Sequence, residues 1–347
     1  MSSPAAPSSR AASATLRVGE LAAVMTPRSI TITTGARLHC GLLSLGATRR
    51  RQFGGVGLML DRPGVSLRLL PSEREETVGD ESVRNRVAEF VQRYRERCPI
   101  TARPPTCRVE VLAAIPAHVG LGSGTQLGMA VAKGMSALAG EMSVAATELA
   151  QRVGRGRRSA IGIHGFDEGG LLVDGGKRRD ADVSPIVTRV NIPDDWRFVL
   201  VRPPSEAGCS GSDELRAFDN LPPILERTTD RLCGIIVMDL LPAVREHDFG
   251  CFASALRAFN HTVGDHFAAV QGGVFASPRM AELAAWLVRR KVIGVGQTSW
   301  GPTLFAACET AAAAEQLVRE IAAGGWNDCV IDIARPLNRG ASCEVDW

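Results

Sequence analysis

Three stretches of the chain crowd together the residue types that bind anions and move protons. In GLGSGTQLG, Gly120 to Gly128, a glycine-rich turn stands between an apolar strand pattern and a helical one. Such a turn lets backbone N–H groups approach an anion, and the positive end of the following helix strengthens the grip, so phosphate or diphosphate is the natural guest. Gly120, Gly122 and Gly124 would supply open backbone, while Ser123 and Thr125 add hydroxyls that can donate to a phosphate or touch a phosphate-bound magnesium ion. It is not a Walker loop, because no GK[ST] follows, and it does not close a first Rossmann strand. Taken alone it is equally a tight turn whose glycines serve helix packing.

The second stretch, ARLHCGLLSLGATRRRQFGGVGLML, combines Arg37 and His39 with Arg49, Arg50 and Arg51 and the pair Gly54 and Gly55. Guanidinium forks suit carboxylate or phosphate, and adjacent glycines allow a ligand near the backbone. Three arginines in a row more often face water. Arg37 and His39 alternate on one face of an apolar strand, where a histidine is commonly a satisfied core residue. The third stretch, residues 154 to 176, sets Arg155, Arg157, Arg158 and Ser159 among glycines, followed by His164, Asp167, Glu168 and Asp174. Its bland reading is a polar, glycine-rich connection. Two cationic stretches and one phosphate-type loop on one chain instead suggest a shared, doubly anionic ligand.

Elements must hold these groups in place. From Ile30 the runs SITITT, VGLML and VSLRLL alternate with period two and predict strands, ESVRNRVAEFVQRYRER predicts a helix burying Val83, Val87, Phe90, Val91 and Tyr94, and CRVEVLAA returns to strand. The glycine loop opens a long small-residue helix, and SVAATELAQRVG predicts another with Ser143 as N-cap. GGLLVDGG and SPIVTRV close the first half as strands. In the second half WRFVLVRPP is a buried strand, with helices expected over 211–219, 223–241 and 248–269. The helix MAELAAWLVRR leads into two short strands in KVIGVGQTSWGPTLFAAC, then the helix TAAAAEQLVREIAAG and a last strand CVIDIA. Helices and strands alternate without strict βαβ order, which predicts an α+β protein with a mostly antiparallel sheet in each half. The expected division is a tail over 1–28, a domain over 29–192 carrying the phosphate loop, and a domain over 193–347.

Composition narrows the function classes. The 347 residues carry 40 basic and 37 acidic side chains, a balance that gives no footprint for nucleic acid, and one Tyr with 5% aromatics leaves few stacking platforms. Nine cysteines show no CxxC or Cys/His ligand spacing and are expected as reduced thiols in a cytoplasmic protein. No run of about 18 apolar residues predicts a membrane helix.

Together the strings resemble the GHMP kinase superfamily from Ile30 to the C-terminus, with IPAHVGLGSGTQLG as its phosphate loop and GVGQTSWGPTLFA as its third motif. More narrowly, RLHCGLL, RQFGG, GRGRRSAIGIHGFDEGGLLVDGG and GQTSWGP resemble the β-ribofuranosylaminobenzene 5'-phosphate synthases. That resemblance implies two α+β lobes and a magnesium-dependent reaction joining phosphoribosyl pyrophosphate to a 4-substituted benzoate with loss of CO2 and pyrophosphate, in methanopterin biosynthesis. A homodimer is in keeping with it, and neither nucleic acid nor membrane is an expected partner. It makes Arg37, His39, Arg158 and Asp174 the catalytic candidates. It assigns binding of substrate and pyrophosphate to Arg51, Gly54, Gly55, Gly120, Gly122, Ser123, Gly124, Thr125, Arg155, Ser159, Gln297, Ser299 and Trp300, with Ser123 and Thr125 toward magnesium. Either 4-aminobenzoate or 4-hydroxybenzoate fits. The alternative is an ATP-dependent small-molecule kinase. Against it, the kinase aspartate falls on Gly162, the second serine of the kinase GLGSS loop is Gly124, and Trp300 stands where kinases keep glycines.

Overall fold

The structure is a computed structural model that describes residues 27–46, 51–178, 183–204, 216–218 and 220–347. The expected tail over 1–28 falls almost wholly outside these, as do Arg49, Arg50 and most of 211–219, of which 216–218 are helical.

Two long strands organise the first layer. β1 (Ser29–Ser44) and β2 (Phe53–Pro71) pair antiparallel from Ile30 opposite Leu69 to Ser44 opposite Phe53. The alternating apolar residues bury Ile30, Ile32, Leu38, Leu58 and Leu67 completely. Where the sequence predicted two strands, VGLML and VSLRLL, there is one: Leu60 and Val65 both stay in register with β1 across a shift between Thr34 and Ala36, so residues 61–64 bulge without ending the pairing. The far edge of β2 is shared. β4 (Cys107–Ala113) takes its C-terminal part and β5 (Leu171–Asp174) its N-terminal part, with β3 (Glu76–Val78) parallel to β4 and β6 (Ile186–Val190) outside β5.

Helices α1 (Glu81–Arg97), α2 (Ser123–Leu138), α3 (Ala146–Arg152) and α4 (Ile161–Glu168) belong to this half. The spacing that predicted α1 buries Val87, Phe90, Val91 and Tyr94. The small residues of α2 let it approach closely: a Cβ on Gly128 would stand 3.1 Å from the Phe90 ring. Ser143 does not cap α3, which starts after Ala145 with no side-chain cap. The stretch predicted as a glycine-rich connection contains α4, because Ile163 and Phe166 pack into the main core and Ile161 packs on Met59 and Leu172, despite Gly162 and Gly165.

The second sheet is antiparallel in the order β10 (Val330–Ala334), β7 (Arg197–Arg202), β9 (Leu304–Cys308), β8 (Val295–Gln297). Around it lie α5 (Glu226–Gly234), a π-helical stretch (Ile235–Leu240), α6 (Leu241–Glu246), α7 (Phe249–Gln271), α8 (Pro278–Arg289) and α9 (Ala311–Ile321). CVIDIA, expected as the last strand, is followed by β11 (Ser342–Asp346), which returns to pair with β1. Between them Leu337 exchanges backbone hydrogen bonds with Met59 and Gly170, and the Asn338 amide bridges Ile192 and Asp194. The C-terminal residues thus seam the two halves. Among the described residues no helix is long and apolar enough to cross a membrane.

Candidate active site

The glycine string forms the turn into α2. Gly120 (φ +80°) and Gly122 (φ +74°) occupy the left-handed region that strains any side chain. Thr125 and Gln126 make the first helical hydrogen bonds, to Gly122 O, which leaves the N–H groups of Ser123 and Gly124 ahead of the helical ladder. The turn is fastened from two elements. Arg37 N–H on β1 donates to Leu121 O at 3.1 Å, while the hydroxyls of Thr298 and Thr303 donate to Gly120 O at 3.0 Å and Val119 O at 2.5 Å.

Three guanidinium groups gather on this turn. Arg37 lies against Gly122, its Nε 3.3 Å from where a Cβ on that glycine would stand. Arg155 Nε donates to Gly124 O at 3.1 Å, and its guanidinium fills the space a Gly124 side chain would need. Arg86, reaching over from α1, donates to Ser123 Oγ at 3.3 Å. Phe90 backs Arg155, whose guanidinium carbon is 5.3 Å from the ring centre. Burial pulls the Arg86 guanidinium below its ordinary value, with Glu89 opposing. A half-open turn ringed by three cations, with the N–H groups of Ser123 and Gly124 ahead of the helical ladder, has the charge and donors to hold an anion.

His39 stands one strand repeat beyond Arg37 on the same face. Its N–H donates to Thr298 Oγ1 at 2.9 Å, its C=O accepts from Ser299 N–H at 3.0 Å, and its Nε2 is 3.1 Å from Ser159 Oγ. The side chain is buried, and that burial, reinforced by the Arg37 charge, pushes its pKa well below the ordinary value, so the ring is neutral at pH 7. Asp174, fully buried on β5, accepts from Ala160 N–H at 2.7 Å and Gly176 N–H at 2.8 Å. Burial raises the Asp174 carboxyl, and those two N–H groups with the hydroxyls of Ser184 and Ser159 hold it part of the way down. The three motifs therefore meet at one place: β1 supplies Arg37 and His39, the phosphate turn supplies 120–125, and the third motif supplies Thr298.

Other expected residues have different duties. The pair Gly54 and Gly55 does not open the backbone to a ligand. Both are buried, and a Cβ on Gly54 would stand 3.0 Å from Asp174 O, while one on Gly55 would strike Gly41 O. Gln297 is consumed internally, its Oε1 accepting from Ala276 N–H at 2.7 Å and its Nε2 donating to Ser299 O at 3.3 Å. Trp300 is 6% exposed in an apolar cluster with Leu45, Leu221 and Ile224, its ring 5.1 Å from Phe218 and 4.7 Å from Phe267. Arg158 lies flat on Phe218, 3.9 Å from that ring centre, and Arg51 Nη1 donates to Gly176 O at 3.0 Å. Ser299 is exposed at the tip of the third motif.

Three residues the sequence did not single out belong to this region. Arg86 touches the loop. Thr298, fully buried, ties His39 to Gly120. Asn260 on α7 donates to Cys40 O at 2.8 Å and to Gln297 O at 2.7 Å, fixing the third motif against β1. Only Thr298 had a signal, since it lies inside GQTSWGP.

The donors that would face magnesium are hydroxyls alone. Ser123 Oγ already receives Arg86, and among the described residues no group of three His, Cys, Asp or Glu side chains is placed to hold a metal. The turn does not fit a bare divalent cation, which three neighbouring guanidinium charges repel.

Two lobes, a glycine turn into a helix and a third motif closing on it define the class, and comparison with known families gives the same class. The description GHMP kinases N terminal domain matches residues 85–168, and GHMP kinases C terminal matches residues 240–325. Homoserine kinase from Cytophaga hutchinsonii superposes with a TM-score of 0.66 at 17% identity, over 94% of this chain and all of that one. Mevalonate pyrophosphate decarboxylase from Streptococcus pyogenes gives 0.62 at 11% identity, over 90% and 98%. At those identities the likeness is one of fold. The sequence relatives are more specific. β-Ribofuranosylphenol 5'-phosphate synthase of Archaeoglobus fulgidus is 31% identical over 90% of this chain and 98% of its own length, and that of Methanothermobacter thermautotrophicus 30% identical over 79% and 87%. The chain belongs to the β-ribofuranosylphenol 5'-phosphate synthase family.

Proposed function

We propose that the protein is a pentosyltransferase that joins the ribosyl group of phosphoribosyl pyrophosphate to a 4-substituted benzoate through carbon, releasing CO2 and pyrophosphate, as a step of methanopterin biosynthesis. The observation that carries this reading is the convergence of Arg37, Arg86 and Arg155 on the N-terminal turn of α2. Displacing diphosphate from the sugar builds positive charge on the ring and negative charge on the leaving group, and preorganised N–H groups and guanidiniums stabilise the latter. Arg37, beside both the turn and His39, also orients the benzoate carboxylate; Arg51 and Arg158 stand behind it, on Gly176 O and Phe218. Magnesium, on this reading, enters held by the diphosphate oxygens as part of the substrate.

The relatives are named for a ribofuranosylphenol. Carrying that chemistry over makes 4-hydroxybenzoate, rather than 4-aminobenzoate, the acceptor of choice. The kinase alternative meets a steric obstacle. A Cβ on Gly162 would stand 3.1 Å from Thr125 Cγ2 and 3.4 Å from Gln126 Nε2, so the position expected to carry a kinase aspartate is a glycine packed tightly against both side chains. Incubation with phosphoribosyl pyrophosphate, magnesium and each carboxyl-labelled benzoate should release labelled CO2. Intact donor together with phosphorylation of an alcohol by ATP would overturn the reading.

A further inference from the structure

The proposed reaction has a second requirement that the diphosphate site does not meet. The ring carbon bearing the carboxylate is a weak nucleophile unless the para oxygen gives up its proton. Three groups near the site could take that proton, and their surroundings separate them. Asp174 is fully buried and is served by the N–H groups of Ala160, at the start of α4, and of Gly176, just past β5, with the hydroxyls of Ser184 and Ser159 beside them. It fixes the start of α4, and therefore Ser159, in place. His39 is 5% exposed, with its Nε2 turned to Ser159 Oγ at 3.1 Å. Ser159 is the partly exposed member of the set, its Oγ also accepting from Ile161 N–H at 3.2 Å. Along β1, Arg37 marks the phosphate turn and His39 lies two residues on, about 7 Å in an extended strand. That is the scale of a benzene ring carrying two para substituents.

We infer that Ser159 and His39 form a proton relay for the acceptor's hydroxyl: the phenol O–H donates to Ser159 Oγ, and the Ser159 hydroxyl, turning from Asp174, passes its own proton to His39 Nε2. This rests on the proposed function and on its para-hydroxylated acceptor. The oxygen pair moves into the ring as the proton leaves, and the carbon bearing the carboxylate bonds to the sugar carbon. The sugar–oxygen bond breaks, and its pair leaves with the diphosphate. Cleavage of the bond to CO2 returns a pair to the ring, giving a phenolate that regains its proton from the relay. Ser159 is the catalytic residue of the pair facing substrate, His39 the seat of the proton, and Asp174 a positioning residue. Burial and the Arg37 charge keep His39 a poor base in the empty protein. A diphosphate beside Arg37 offsets that charge, so the acceptor is activated once the donor is bound.

The test varies the acidity of the acceptor. Single-turnover CO2 release is measured for wild type, Ser159→Ala and His39→Asn with 4-hydroxybenzoate and its 3-fluoro and 3,5-difluoro derivatives, whose hydroxyls ionise without help. Both variants should lose about 100-fold with 4-hydroxybenzoate, in keeping with loss of general-base assistance, and progressively less along the series. 4-Aminobenzoate, whose nitrogen donates without losing a proton, should show no comparable penalty in any protein that uses it. An equal loss with every acceptor would reduce the two residues to packing and overturn the relay. If the variants do not fold, wild type decides alone: a solvent deuterium effect with 4-hydroxybenzoate that vanishes with the difluoro acceptor supports the relay, and an unchanged effect refutes it. Wild type that releases no CO2 from any benzoate removes the proposed function itself, which is a separate failure.

Discussion

Two glycine clusters look alike in the sequence and behave differently in the structure. Gly122 and Gly124 border a partly exposed turn, and the groups closest to them are the side chains of Arg37 and Arg155, whereas Gly120 in the same turn faces the backbone of Thr298 and Gly301. Gly54 and Gly55 are buried, and the groups closest to them are the backbone of Asp174, Gly176 and Gly41. Flexible cations can move aside for an anion; backbone cannot. A glycine kept free of a side chain so that a ligand can approach is therefore distinguished by what faces it, not by its φ or its neighbours in the chain.

The sharpest way to break this contrast is Gly55→Ala. Its methyl meets Gly41 O and the residue sits at φ +156°, so a loss of roughly 3 kcal/mol or more is expected as a drop in thermal midpoint. Trp300→Ala should cost a similar ~3–5 kcal/mol by emptying an apolar cluster. Trp300→Phe should keep donor affinity close to that of wild type, which calorimetric titration with phosphoribosyl pyrophosphate will check. Next come the cations: Arg86→Ala and Arg155→Ala should each weaken pyrophosphate binding about tenfold or more, at ~1.5–3 kcal/mol per charged hydrogen bond, with the melting temperature nearly unchanged. His39 gives a pH effect of intermediate size. Its folded pKa is depressed below 6.5, so the unfolded chain binds the proton first, and stability falls as pH drops below that value, by up to about 1.4 kcal/mol per unit. Melting curves between pH 7.5 and 5.5 should be less pH-sensitive in His39→Asn. The smallest stability effect belongs to Gly124→Ala, within about 1 kcal/mol because the alanine favours the helix, while pyrophosphate binding weakens as Arg155 is displaced.

Much of the fold was legible because its signals are local. Alternation in β1 and the spacing of Val87, Phe90, Val91 and Tyr94 in α1 each report one buried face. The misses are tertiary. Glycines masked the buried apolar residues of α4, and SCEVD became β11 where β1 offered an edge to pair with. In the site, Arg37, His39, Ser159 and the glycine turn were readable from one chemistry-bearing string each. Arg86 was not: it lies on a helix with Arg84, Arg93, Arg95 and Arg97, and nothing in their spacing marks the one that reaches Ser123. Trp300 differs in the opposite way: its motif string does not announce the apolar cluster with Leu45, Leu221 and Ile224 that holds it.

The central claim is that the turn at Gly120–Thr125 takes the diphosphate of a ribosyl donor. Pyrophosphate and CO2 followed together in one reaction with 4-hydroxybenzoate test it most directly. Equal amounts of both, appearing only with phosphoribosyl pyrophosphate and collapsing in Arg155→Ala, are the predicted result. Formation of ADP from ATP, with the ribosyl donor untouched, would contradict it.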